Sequence, residues 1–146
     1  MKKSIIGLAV ATGFVATTAF TKSMDPTPSV LRAFQTEFRD ATNVEWQDRP
    51  EFAKVHFNLN GARVEAYYEF DGTLIGTART ILFNQLPLGA LKEVQNRFPQ
   101  SAFYNVTEYM KQGELFYMLT VEQASKKMMV RVFPSGDLTV ERKTGL

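Results

Sequence analysis

The sequence predicts an α+β protein built as a tandem repeat, each unit one helix plus a four-stranded antiparallel sheet, together forming a continuous curved sheet with helices on one face. Three observations predict it. Apolar residues recur at helical spacing in two short segments, first Val30, Leu31, Phe34 and Phe38, then Leu91, Val94 and Phe98. That spacing lays one apolar stripe along a helix. Each stripe is followed by runs in which apolar and polar residues alternate, as half-buried strands require. The second half also repeats the first: Leu31, Phe34 and Phe38 fall on Leu91, Val94 and Phe98 at a constant offset of 60 residues.

Each element has its own signals. Thr27 can cap the first helix, and Pro28 suits its first turn. A short strand follows at Asn43 to Gln47, where Trp46 shares parity with Val44 and is expected to pack under the helix near Phe34 or Phe38. Next, Ala53, Val55, Phe57 and Leu59 alternate with Phe52, Lys54, His56 and Asn58, and Asn60-Gly61 reads as a tight hairpin turn. The return strand places Val64, Ala66, Tyr68 and Phe70 against Arg63, Glu65, Tyr67 and Glu69. Asp71-Gly72 then makes a hairpin into a strand from about Thr73 to Leu82.

The second unit opens at Leu86-Pro87-Leu88-Gly89, and Pro99 stops its helix. Asn105-Val106 answers Asn43-Val44 at an offset of 62 residues. Leu115, Tyr117, Leu119 and Val121 answer the first inward set, and Met128, Val130 and Val132 the second. Two extra residues in the Pro134-Ser135-Gly136 turn are expected to move the offset to 64, aligning Gly136 and Leu138 with Gly72 and Leu74.

Composition narrows the function. With 45% hydrophobic and 22% charged residues in 146, the chain is close to the globular average and long enough for a real core. Cysteine is absent, which excludes disulfides, thiol catalysis and thiolate metal sites. Met1-Lys2-Lys3-Ser4, the apolar run Ile5 to Ala16 and the small residues Thr17-Thr18-Ala19 have the layout of a bacterial secretory signal cleaved near Ala19. The apolar run is too short for a permanent membrane span. The expected divisions are a signal peptide at 1–19, a flexible lead-in at 20–28, and repeats at 29–84 and 85–146. Cleavage removes Lys2 and Lys3 and cancels the net charge of +2, so no basic footprint for nucleic acid remains.

No catalytic constellation stands out. His56 is the sole histidine, so any Ser/His/Asp triad would need it as base. Mid-strand between Lys54 and Asn58 on the polar face, it reads as a surface histidine. Glu65 and Glu69 share a strand face about 13 Å apart, beyond glycosidase spacing, with Tyr67 between them. No phosphate loop, HExxH segment or EF-hand spacing occurs. An enzyme is not expected, nor a cofactor or metal.

The strand face without an assigned cover is the candidate site. Phe116, Met118 and Met129 form an apolar group rimmed by Lys127 and Arg131, a composition expected of a contact surface. His56 and Tyr67 are the first unit's contributions to that face. Its expected occupant is another protein, a second copy included; the competing reading covers it with the Phe20 to Pro26 segment.

Several of these residues carry a resemblance. Val30-Leu31-x2-Phe34-x3-Phe38, Asn43-Val44-Glu45-Trp46, Glu65-Ala66-Tyr67-Tyr68-x2-Asp71-Gly72-Thr73-Leu74 and Leu86-Pro87 together resemble the PepSY-like, beta-lactamase-inhibitor-like (BLIP-like) secreted proteins common in Bacteroidetes. The resemblance spans about Val30 to Glu141, and its motifs are mostly structural. It departs at Phe133-Pro134-Ser135-Gly136, where the family often shows an Asp-Gly turn. What it implies is an extracytoplasmic binding or inhibitory module, periplasmic or secreted, without transfer of lactamase inhibition itself. The resulting expectation is a protein-binding module, an inhibitor of a peptidase or other hydrolase; the alternative is a small-ligand or peptide-binding structural module without inhibitory activity.

Overall fold

The computed structural model describes residues 25–145, so the signal peptide and most of the lead-in expected from the sequence lie outside the described residues. Helix α1 spans Pro28–Glu37, and four strands follow: β1 Thr42–Asp48, β2 Ala53–Leu59, β3 Ala62–Tyr68 and β4 Leu74–Thr80. A short 3-10 turn at Phe83–Gln85 leads into α2, Leu88–Arg97. Four more strands complete the order: β5 Ala102–Lys111, β6 Glu114–Gln123, β7 Lys126–Val132 and β8 Leu138–Gly145. All eight strands form one open antiparallel sheet in sequence order, β1 to β8. Among the described residues no helix is long and apolar enough to cross a membrane.

The local signals act as their chemistry dictates. The Thr27 hydroxyl accepts from the Val30 N–H at 3.3 Å and donates to the Phe70 carbonyl at 2.8 Å, so one side chain caps α1 and ties it to the β3–β4 turn. Asn60-Gly61 takes positive φ at both residues (50° and 79°), the requirement of a type I′ hairpin. Asn43 and Asn105 are both left-handed, φ 51° and 54°, where the β1·β2 and β5·β6 ladders slip register. Asparagine tolerates that conformation better than other side chains.

Two apolar clusters hold the elements together. Val30 and Phe34 of α1 pack with Val55, Phe57, Ala66 and Tyr68; Ala90 and Val94 of α2 pack with Tyr117, Leu119, Val121, Val130 and Val132. Each fully buried valine, leucine or phenylalanine is worth about 1.5–3 kcal/mol. Trp46 meets Phe34 edge-on at 5.3 Å, within the first cluster as its parity required. Tyr68 is fully buried, and its hydroxyl leaves the apolar cluster to donate to Glu37 Oε2 at 2.7 Å.

Three local expectations need correction. Phe70 lies beyond β3, in the Glu69–Thr73 turn, and is exposed rather than inward. β4 stops at Thr80: the Ile81 N–H turns to the Val106 carbonyl and the Leu82 N–H to Gln85 Oε1, which starts the 3-10 turn. The extra length of the second half is not in the Pro134-Ser135-Gly136 turn. Tyr68 pairs with Leu74 and Val132 with Leu138, so the two turns are equally long. The β6–β7 hairpin is where register departs, because Met118 stands opposite a residue 13 positions on, Arg131, and His56 opposite one nine positions on, Glu65. Both turns press on a helix start, where a Cβ on Gly72 would come within 2.8 Å of the Ser29 carbonyl oxygen and one on Gly136 within 3.2 Å of the Gly89 carbonyl oxygen.

Candidate functional site

Strand register sorts the side chains onto two faces. Val64, Arg79, Glu108, Tyr117 and Val132 stand opposite one another in successive strands and define the face of the two clusters. On the second face His56, Glu65, Ala78, Tyr109 and Phe116 form one row across five strands. Lys54, Tyr67, Gly76 and Lys111 form the next. The small residues of β4 in these rows leave a trough between the larger side chains of β3 and β5. Gly76 is needed there on its own account, because a Cβ would collide with the Met110 carbonyl oxygen of β5.

The trough opens into a cleft of about 210 Å³ lined by Phe52, Tyr67, Ile75, Tyr109, Met110 and Phe116. Phe52 meets Tyr67 at 5.8 Å, and Tyr109 lies nearly parallel to Phe116 at 5.3 Å. The Arg131 guanidinium sits 4.9 Å from the Phe116 ring centre, and its Nε lies 3.2 Å from Glu141 Oε1. A smaller, polar hollow of about 150 Å³ continues the trough past Ala78, between Arg63 and Glu65 on one side and Thr107 and Tyr109 on the other. Aromatic walls thus stand at one end and charges at the other.

Glu65 is the centre of the polar end. Its Oε2 accepts from the Tyr67 hydroxyl at 2.5 Å and from Lys54 Nζ at 3.0 Å, while Oε1 lies 3.1 Å from His56 Nδ1. Burial works against the Glu65 charge, but the bonds from Tyr67 and Lys54 outweigh it and hold the carboxyl below its ordinary range. The Tyr67 phenol is pushed well up by burial and by its bond to Glu65.

His56 corrects the sequence reading most sharply. It is not a surface histidine: it is 8% exposed. Nδ1 is near Glu65 without being directed at it as a hydrogen bond, and Nε2 has no partner among the described residues. Burial pushes the imidazole below its ordinary value of 6.5 against the pull of Glu65, so the ring is neutral near pH 7. Among the described residues no group of three histidine or acidic side chains is close enough to hold a metal ion.

The other sequence-singled residues divide on this face. Phe116 and Tyr67 line the cleft from opposite sides. Met118 follows Phe116 along β6, opposite Arg131. Met129 and Lys127 lie further out on β7, in a separate shallow hollow with Thr120 and Arg142. Phe116 and Met129 are thus not direct neighbours, and Met118 stands between them. Ile75, Tyr109 and Met110 were missed because their place depends on β5 pairing with β4, a contact between distant segments, and Phe52 because it meets Tyr67 from the loop before β2. Alternation along β5 puts Tyr109 with Thr107 and Lys111, but only that pairing puts it beside Tyr67.

No protein-family profile matches the chain, and no curated protein matches it. Solved structures do. A BLIP-like protein from Bacteroides fragilis is 18% identical and superposes with a TM-score of 0.76 over 86% of this chain and 92% of its own. This chain has a BLIP-like fold. A DUF2874 family protein from Bacteroides ovatus is 16% identical, with a TM-score of 0.73 over 84% of this chain and 89% of its own. At such identities the BLIP-like fold is what is shared, and the PepSY-like half of the sequence resemblance has no counterpart among these neighbours. Neither neighbour is named as an enzyme.

Proposed function

We propose that this protein is an extracytoplasmic protein-binding module, periplasmic or secreted behind a signal peptide ending near Ala19. In this reading 29–84 and 85–146 are copies of one repeat, their helices cover a common face, and the second face receives the partner. The observation that carries it is the aromatic cleft at the seam, with Tyr67 from one half and Tyr109 and Phe116 from the other. Tyrosine anchors, with Arg131 set against the Phe116 ring, are of the residue types that dominate binding hot spots. At about 210 Å³ the cleft is smaller than the ~300–1,000 Å³ typical of small-molecule sites, and suits one protruding apolar side chain of a partner. Inhibition of a peptidase or other hydrolase needs only such a rigid surface occluding another protein's cleft. Met118, Arg131, Met129 and Lys127 extend the contact along β6 and β7.

The test uses immobilised wild type and a Phe116→Lys/Met118→Lys variant, both shown folded by circular dichroism, against periplasmic and secreted fractions of the source cells. A hydrolase retained by the wild type alone, and slowed when the protein is titrated into its assay, supports the proposal. Equal retention by both baits, or no retained protein, refutes it. The apolar lining of the cleft favours a small-ligand reading second, in which an added ligand raises the melting temperature without a change in mass.

A further inference from the structure

The two halves of the sheet meet at one junction, β4 against β5, and the outer edges of the sheet carry strands of the same two kinds. β4 leaves the Glu69–Thr73 turn and β8 leaves the Phe133–Asp137 turn, and the two turns have matching backbone hydrogen bonds. β1 and β5 share the left-handed asparagine and the slipped ladder. At the internal junction Arg79 faces Glu108 in an ion pair of 2.8 Å, Ala78 faces Tyr109, and Thr80 faces Thr107. The counterparts on β8 are Lys143, Arg142 and Thr144; those on β1 are Trp46, Gln47 and Glu45.

The internal junction also shows what a β1-type strand looks like when covered. Val106 on β5 is 2% exposed, its carbonyl accepts from the Ile81 N–H at 3.0 Å, and Phe83 stacks on Phe103 at 4.4 Å. The matching Val44 on β1 is 39% exposed, and Leu31 on α1 is 38% exposed. Between them runs a groove of about 510 Å³ along the β1 edge, walled by Phe34, Phe38 and Trp46 as well. In the second half, a β4-type strand and the segment leaving it close the equivalent place.

We infer that a second copy of this chain covers the open β1 side of this groove, β8 of one copy adding antiparallel to β1 of the next and repeating the strand pairing of the β4·β5 junction between molecules. Main-chain hydrogen bonds along two edges that are unpaired among the described residues supply the attraction, and side-chain pairing supplies the register. In that register Lys143 stands opposite Trp46 of the next copy, where an ammonium over an indole is favourable. Arg142 stands opposite Gln47 and diagonal to Glu45, so a basic edge meets an acidic residue. The two surfaces are different, so the contact is heterologous and each added copy exposes a fresh edge. The inference rests on the recurring strand order of the repeat reading and not on what the second face binds.

The test uses the full chain, expressed with its leader and purified from the periplasm, in sedimentation velocity over about a hundredfold range of concentration. The weight-average mass is expected to rise past the dimer without a plateau. Val44→Lys blocks the β1 edge, and Arg142→Glu/Lys143→Glu blocks β8; each alone is expected to stay monomeric. Their mixture is expected to form one-to-one dimers and nothing larger, because each supplies the edge the other lacks. Leu31→Glu, on the helix side of the groove, serves as a second block should Val44→Lys misfold. A wild type that stays monomeric over the whole range, or a mixture that stays monomeric, overturns the inference. Neither edge includes Phe116 or Tyr67, so capture of a partner by the second face is read independently.

Discussion

Truncating Phe116 to alanine distinguishes a second face that is open from one that is covered. The ring is half-buried, lies against Tyr109 at 5.3 Å, and carries the Arg131 guanidinium 4.9 Å from its centre. A fully buried Phe→Ala change costs about 3–5 kcal/mol, so half burial removes about 2 kcal/mol. Loss of the aromatic pair brings the total to about 2–3 kcal/mol. For a chain of this size each kcal/mol moves the melting temperature by about 4 °C, giving a drop of about 8–12 °C. Leu119→Ala, at a position 1% exposed in the second cluster, is the internal standard and should cost about 3–5 kcal/mol. The assay is urea denaturation followed by circular dichroism, with an unchanged m value required for comparison. If Phe116→Ala costs as much as Leu119→Ala, something covers the ring and the open-face reasoning fails. A cost below about 0.5 kcal/mol would mean that the stack on Tyr109 contributes nothing.

Two further outcomes follow from the polar end of the trough. Because burial lowers the His56 pKa below 6.5, the unfolded chain binds that proton more readily; stability should be flat above this value and fall as pH drops through it toward the folded value. Urea midpoints across this range should show the loss, and His56→Phe should flatten it, leaving Glu65, Lys54, Arg63 and Glu45 as the charged groups facing that position; an identical pH slope in the variant would refute the assignment. Glu65→Gln turns the bonds from Tyr67 and Lys54 into weaker ones at a cost of about 1 kcal/mol, reduced by partial exposure. Ultraviolet titration should show the Tyr67 phenol ionising at lower pH than in the wild type, and an unchanged curve would sink the account.

Helices, hairpins and strand parity were legible because they depend on nearby residues. The Thr27 cap, the Asn60-Gly61 turn and the Val55, Phe57, Val64, Ala66 alternation each express local chemistry and appear where the residues put them. The site was only half legible. Parity put Phe116, Met118, Lys127, Met129, Arg131, His56 and Tyr67 on one face, but parity carries no distance between strands. Pairing of β4 with β5 brings Tyr109 beside Tyr67, and the helix between those strands separates them in sequence. His56 misled for a related reason. A polar strand face reads as solvated, whereas the imidazole is buried beside Glu65, which Lys54 also holds.

The two apolar clusters share no residue, and the pairing of β4 with β5 is what links them across the sheet. Such an arrangement is expected to open as two cooperative units, each without dragging the other fully apart. Amide hydrogens around Val55 and around Leu119 should then report separate opening energies in the free protein. A molecule seated over the seam touches both units at once and stabilises the state in which both are closed. Occupancy of the cleft would be read far from it, as two exchange regimes merging into one.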